Sequence, residues 1–232
     1  MFKLLISLLI AIHFTSAHNH KCSLSEYEYS SIYQDNTRWT YPHQNNYEGT
    51  ETNLNPLPFM IPFSKNTTGE INKQINRELF AHYNYLSMAM HFDRDDIHLP
   101  GFHKFFKESA EEEMKHAQMF MKYQNMRGGR VRLHNVHTPF KSEWGNGLSA
   151  MECALNLEKD VYDALLILHD LAQNANDPQL QDFLEGNFLG EQVESIKQLS
   201  NYVNTLRRQQ ESGNYALGEY QFDKITLKGG DD

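Results

Sequence analysis

Between residues 67 and 209 the chain has four long segments with apolar residues at helical spacing, and each apolar stripe is broken by a group that resists burial. The first segment, about 67–92, carries Ile71, Ile75, Glu78, His82, Tyr85 and Ala89. Thr67-x-x-Glu70 at its start has the form of a capping box. The second, about 100–127, opens on Pro100, a residue favoured at the first helical position. Its stripe is Phe102, Phe106, Ser109, Glu113, His116 and Phe120, and Gly128-Gly129 closes it. The third, about 148–174, carries Leu148, Met151, Leu155, Glu158, Tyr162, Leu165 and His169. Asn176-Asp177-Pro178 breaks the chain before the fourth, about 179–209, with Leu180, Leu184, Phe188, Gln192, Ser195, Leu199 and Val203. Ser212-Gly213 precedes a short fifth helix, about 216–226. Narrow apolar stripes on four long helices predict an all-α four-helix bundle. Short links make helices one and two, and helices three and four, antiparallel neighbours. The 128–147 linker is long enough to run the length of the bundle, so helices two and three are expected to be parallel, with one long crossover.

The interruptions are Glu78, Glu113 with His116, Glu158 and Gln192. A buried, unpaired carboxylate costs several kcal/mol, and several in one core repel one another. A bound cation is the simplest remedy. Oxygen ligands with one imidazole suit iron, manganese or zinc, and the absence of thiolates argues against structural zinc. Glu113 and His116, three residues apart, share a helix face. Glu78, Glu113 and His116 would form one site; Glu113, Glu158 and Gln192 a second, weaker one. Bundles with a resident di-iron cofactor carry two Glu-x-x-His motifs, and this chain shows one. A weak second site suits iron that arrives, is oxidised by dioxygen and leaves. Tyr85, two turns after Glu78, either serves a ligand there or is a core tyrosine with a satisfied hydroxyl. A lone Glu-x-x-His would read as a solvated face; interruptions on all four stripes argue otherwise.

A formal charge of −9 over 232 residues disfavours a nucleic-acid partner. Residues 1–17, MFKLLISLLIAIHFTSA, have the positive start, short apolar core and small terminal residues of a secretory signal. The apolar run is too short to span a bilayer, so the expectation is a secreted chain without a membrane anchor. Residues 18–66 are rich in Asn, Tyr, Ser and Pro and read as an extended arm. Asn66-Thr67-Thr68 is an N-glycosylation sequon. There are two cysteines. Cys153 lies in a helical pattern and reads as a small buried hydrophobe. Cys22 suggests an intermolecular bridge, with a capped or free thiol as the alternative. Cleavage after Ala17 would expose His18-Asn19-His20, a start able to bind Cu(II); a solvated tail is the simpler reading.

The stretches INKQINRELFAHYNYLSMAMHFDRDD (71–96), EEEMKHA (111–117), QNMRGGR (124–130), GLSAMECALNLEKDVYDALLILH (147–169) and FLGEQV (188–193) closely resemble animal ferritin of the heavy-chain, ferroxidase type. The likeness runs from about Thr68 to Leu227. It implies a twenty-four-subunit shell, of one chain or mixed with light-type subunits, that oxidises Fe(II) with dioxygen and stores a ferric mineral. By the same resemblance the first iron is held by Glu78, Glu113 and His116, the second by Glu113 and Glu158 with Gln192 nearby, and Tyr85 matches the family's ferroxidase tyrosine. Asp182 and Glu185 match acids of the three-fold iron channel, and His169 a residue near its mouth. Glu111 and Glu112 are candidates for mineral nucleation, which Lys115, in place of a common acid, makes less favourable. In the fifth helix Leu217 keeps the family pattern while Gln221 and Ile225 depart from it. The resulting division is a signal at 1–17, an arm at 18–66, the bundle with its fifth helix at 67–227 and a tail at 228–232. Two alternatives stay open. One is a secreted iron carrier or yolk store whose arm binds a receptor or cross-links subunits. The other is a different di-metal oxidase.

Overall fold

The computed structural model describes Cys22 and residues 65–227. The expected signal, most of the arm, His18-Asn19-His20 and the 228–232 tail lie outside the described residues. Among the described residues there are helices and no strands. They are α1 (Lys65–Phe92), α2 (Pro100–Met126), α3 (Gly147–Asn174), an α4 interrupted by a π-helical turn and a short α5. The α4 rod runs Pro178–Leu184, widens into a π-helical turn at Glu185–Leu189 and continues as Gly190–Glu211. The α5 segment, Tyr215–Gln221, ends in a second π-helical turn at Phe222–Thr226. No helix among them is long and apolar enough to cross a membrane.

The hydrogen bonds at the rod ends give the topology. Gln124 Nε2, near the end of α2, donates to Thr68 O in the first turns of α1 at 2.8 Å, so α1 and α2 are antiparallel. Glu219 and Asp223 lie one turn apart in and after α5. Asp223 Oδ1 accepts from Gly101 N at 2.6 Å and Phe102 N at 3.0 Å, while Glu219 Oε1 accepts from Gly147 N at 2.6 Å. The starts of α2 and α3 therefore meet at one end, and those two helices run parallel. This is the long-crossover bundle expected from the 128–147 linker. At the other end, Arg127 Nη2 donates to Asp177 Oδ2 at 2.6 Å, tying the end of α2 to the residue that caps α4. Asn176, at φ 52°, makes the tight α3–α4 turn in the left-handed region that Asn tolerates.

Polar residues on one face of α1 hold the crossover in place. Asn72 donates to Arg130 O at 3.0 Å and accepts from Arg132 N at 2.9 Å. Asn84 Oδ1 accepts from Phe140 N at 3.0 Å. Trp144, buried against the bundle, donates its Nε1–H to Ser87 Oγ at 3.0 Å, and His91 Nε2 donates to Gly145 O at 2.9 Å. An irregular connection needs such partners, because buried backbone amides must be satisfied.

Three local expectations are corrected. The helix start lies at Lys65, ahead of the expected capping box. Thr67 is thus inside the first turn, and Glu70 instead pairs with Lys73 at 2.5 Å. Asn66, expected as the last residue of the extended arm, is exposed and lies in that first helical turn. The larger correction concerns the cysteines: Cys22 and Cys153 form an intrachain disulfide across 131 positions. Cys153 is buried as expected, but as one half of a cross-link, and Cys22 is neither free nor held by another subunit. Spacing alone carried no signal for a bond between an irregular arm and a helix.

Candidate metal centre

Ligating atoms of Glu78, Glu113 and His116 lie within 4.8 Å of one another. α1 supplies Glu78, and one turn of α2 supplies the other two. Glu78 and Glu113 are 1% and 5% exposed; the His116 side chain is 12% exposed. His116 Nδ1 sits 3.3 Å from Glu113 Oε2, and its Nε2 3.4 Å from Glu191 Oε2. Glu78 Oε1 accepts from Gln74 Nε2 at 2.7 Å, and Arg77 Nη1 donates to Gln74 Oε1 at 3.2 Å. Glu78 Oε2 is buried with no hydrogen-bond donor. It faces the like charge of Glu113, so only a shared proton or a cation satisfies it.

Glu158 reaches the same core from α3. Its two carboxylate oxygens are already engaged: the Tyr85 hydroxyl donates to Oε1 and Gln192 Nε2 donates to Oε2. Gln192 also donates to the Glu158 carbonyl at 3.0 Å. The two halves thus differ. On the Glu78 side an acceptor is orphaned, whereas on the Glu158 side protein donors have taken the charge.

The electrostatics follow. Glu78 is held well above the usual carboxylate range, first by burial and then by the Glu113 charge. Glu113 is also well above it, by burial and then by Glu158. Glu158 is raised by burial, against the lowering effect of the Tyr85 and Gln192 hydrogen bonds. Burial and then Glu158 push the Tyr85 hydroxyl up, so it stays a donor. His82, on the α1 stripe, does not join the cluster; its Nδ1 bonds Ala110 O at 2.7 Å.

Beside the centre, a cleft of about 680 Å³ between α2 and α4 reaches Tyr85 and is lined by Glu111, Glu112, Lys115, Glu191 and Glu194 among others. Burial and then Glu191 raise Glu112. Elsewhere, Glu185 Oε1 lies 2.7 Å from His169 Nε2, and Asp182 is exposed one turn before Glu185. Two neighbours of the centre were missed in sequence. Gln74 stands four residues before Glu78 on the same face, which was a readable signal. Glu191, adjacent to Gln192, was not readable, because its position depends on the π-helical turn in α4.

Helices, ligand types and an orphaned core carboxylate together define a helical bundle around a buried carboxylate–imidazole group that could hold a metal ion. Comparison with known proteins makes this specific. The family model described as a ferritin-like domain matches residues 69–209. The chain is 57% identical to the soma ferritin of Lymnaea stagnalis over 68% of this chain and 88% of that protein. It is 52% identical to the ferritin middle subunit of Salmo salar over 68% of this chain and 90% of that protein. It is also 52% identical to the ferritin heavy chain of Echinococcus granulosus, over 69% of this chain and 91% of that protein. The chain belongs to the ferritin family.

Proposed function

We propose that this ferritin stores iron in a multi-subunit shell and oxidises Fe(II) with dioxygen at the Glu78–Glu113–His116–Glu158 centre. The single observation that carries this is the buried Glu78 Oε2, which has no donor and faces Glu113. Membership of the family, with heavy- and middle-subunit relatives, supports the storage role. Two ferrous ions held on either side of Glu113 can each give one electron to the same dioxygen, so its reduction need not stop after one electron. The first ion takes Glu78, Glu113 and His116, replacing shared protons. The second must compete at Glu158 with the Tyr85 and Gln192 donors. It is therefore held weakly, as suits a substrate that departs after oxidation. Asp182, Glu185 and His169 would lie on the entry route, and the acidic cleft at Glu111, Glu112, Glu191 and Glu194 would receive the product.

In this reading the chain is secreted. The signal-like first 17 residues support that, as does the Cys22–Cys153 disulfide, a bond that persists in oxidising compartments. The intrachain bond removes Cys22 as a subunit cross-linker. A carrier role through the arm remains the second reading, because the 18–66 segment is extra to the family match.

The test is rapid mixing of iron-free protein with Fe(II) in air. We expect a fast oxidation phase that Glu113→Ala and His116→Ala each slow by more than about a hundredfold, the scale of losing a charged ligand worth a few kcal/mol. Unchanged rates in both variants would overturn the assignment.

A further inference from the structure

In α4 the inward residues Leu180, Leu184, Phe188 and Gln192 recur at a spacing of four, and all are buried. In a regular α-helix each such step overshoots a full turn by about 40°. Three steps would swing Gln192 about 120° off the face that Leu180 occupies. The π-helical turn Glu185–Leu189 lies inside this run, and its wider turn absorbs the drift. One helix thereby sends two successive inward residues to the metal centre: Gln192 to Glu158, and Phe188 to His116. The Phe188 ring lies 5.5 Å from the His116 ring, edge to face at 68°. It also stacks on Phe120 at 4.3 Å and 19°, and it meets Phe183 at 5.3 Å and 69°. Phe188 is therefore a fixed wall.

His116 needs one. Its χ2 torsion has broad wells, and a carboxylate lies on each side of it: Glu113 inside the centre and the exposed Glu191 on the cleft side. The ring meets both at once, Nδ1 at 3.3 Å from Glu113 and Nε2 at 3.4 Å from Glu191, and a turn about χ2 would carry Nδ1 away from Glu113. We propose that Phe188, set by the π-helical turn of α4, is a positioning residue that holds the His116 imidazole in the Glu78–Glu113 ligand group. This deepens the ferroxidase reading and rests on it.

Full-length protein stripped of metal and titrated with Co(II) without oxygen tests the idea, by calorimetry and by the cobalt absorption bands. Edge-to-face pairs shift equilibria by roughly two- to tenfold. We expect Phe188→Leu to bind Co(II) at the His116-dependent site weaker by that factor, and Phe188→Tyr to restore the wild-type affinity. A purely structural role would lower the thermal midpoint and leave Co(II) affinity unchanged, which overturns the proposal; so does a Phe188→Tyr variant as weak as Phe188→Leu. Should Phe188→Leu fail to fold, Phe188→Met, a flexible gap-filler without a ring, gives the same reading. If wild type and His116→Ala bind Co(II) alike, the metal-centre reading falls and this proposal with it. If His116→Ala binds weakly while Phe188→Leu matches wild type, this proposal alone falls.

Discussion

At the centre the deciding fact is that Glu78, Glu113 and Glu158 are all raised above the ordinary value of 4.5, with burial the first cause in each. The sign is fixed by linkage. With a raised folded value, the folded protein binds more protons than the unfolded chain between the two values. The protonated carboxyls thus stabilise the metal-free protein below about pH 4.5, and that contribution is lost as pH rises through the folded values. Metal-free wild type should therefore lose thermal stability more steeply than Glu113→Gln, which cannot ionise, as pH rises above the ordinary carboxylate value. Parallel pH profiles for the two proteins would contradict this. Loading would run the other way, since a metal ion bound at the proposed centre would displace these protons. Calorimetry with Zn(II) in buffers of different ionisation enthalpy should show net proton release near neutral pH, much reduced in Glu113→Gln. These carboxylates were legible in the sequence because each interrupts an apolar stripe, and a stripe states which way a side chain points. The state of Glu158 was not legible. That Tyr85 and Gln192 have already taken both its oxygens depends on how α1 and α4 pack against α3.

At the scale of elements, α5 caps two bundle helices at once. The residue before α2, Leu99, offers no side-chain cap, and Asp223 supplies one from 121 and 122 residues away. A Cβ on Gly101 would meet Asp223 O at 2.2 Å, so glycine is what permits that approach. We expect Asp223→Ala to cost about 1–2 kcal/mol, the worth of a lost helix cap, with Asp223→Asn costing less. A thermal midpoint unchanged in Asp223→Ala would show that the cap contributes nothing. The rods themselves were plain in the sequence, to within about two residues at their ends. The start of α1 was misjudged because Thr67-x-x-Glu70 imitates a cap while the helix continues back to Lys65. The π-helical turn in α4 was missed although its sign lies in the sequence: four inward residues spaced by four, a run that drifts about 120° around a regular α-helix.

For the whole molecule, the Cys22–Cys153 bond closes a 131-residue separation and pins the start of the arm to α3. On the loop-entropy account such a closure stabilises the fold by up to about 5 kcal/mol. Cys153→Ser should lower the thermal midpoint of the full-length protein, and reducing agent should lower that of wild type but not of the variant. Disulfide-linked dimers of wild type on non-reducing gels would contradict the intrachain pairing. The pairing escaped sequence reasoning because a disulfide between distant segments is fixed by the folded geometry, which neither the helical period nor the cysteine spacing records. The central claim is that the core carboxylates of this bundle exist to hold iron. Anomalous X-ray scattering at the iron edge, from crystals soaked in Fe(II) without oxygen, addresses it most directly. The account predicts a strong peak among Glu78, Glu113 and His116 and a weaker one between Glu113 and Glu158. Iron found on the exposed acids of the cleft with no peak between the rods would contradict it.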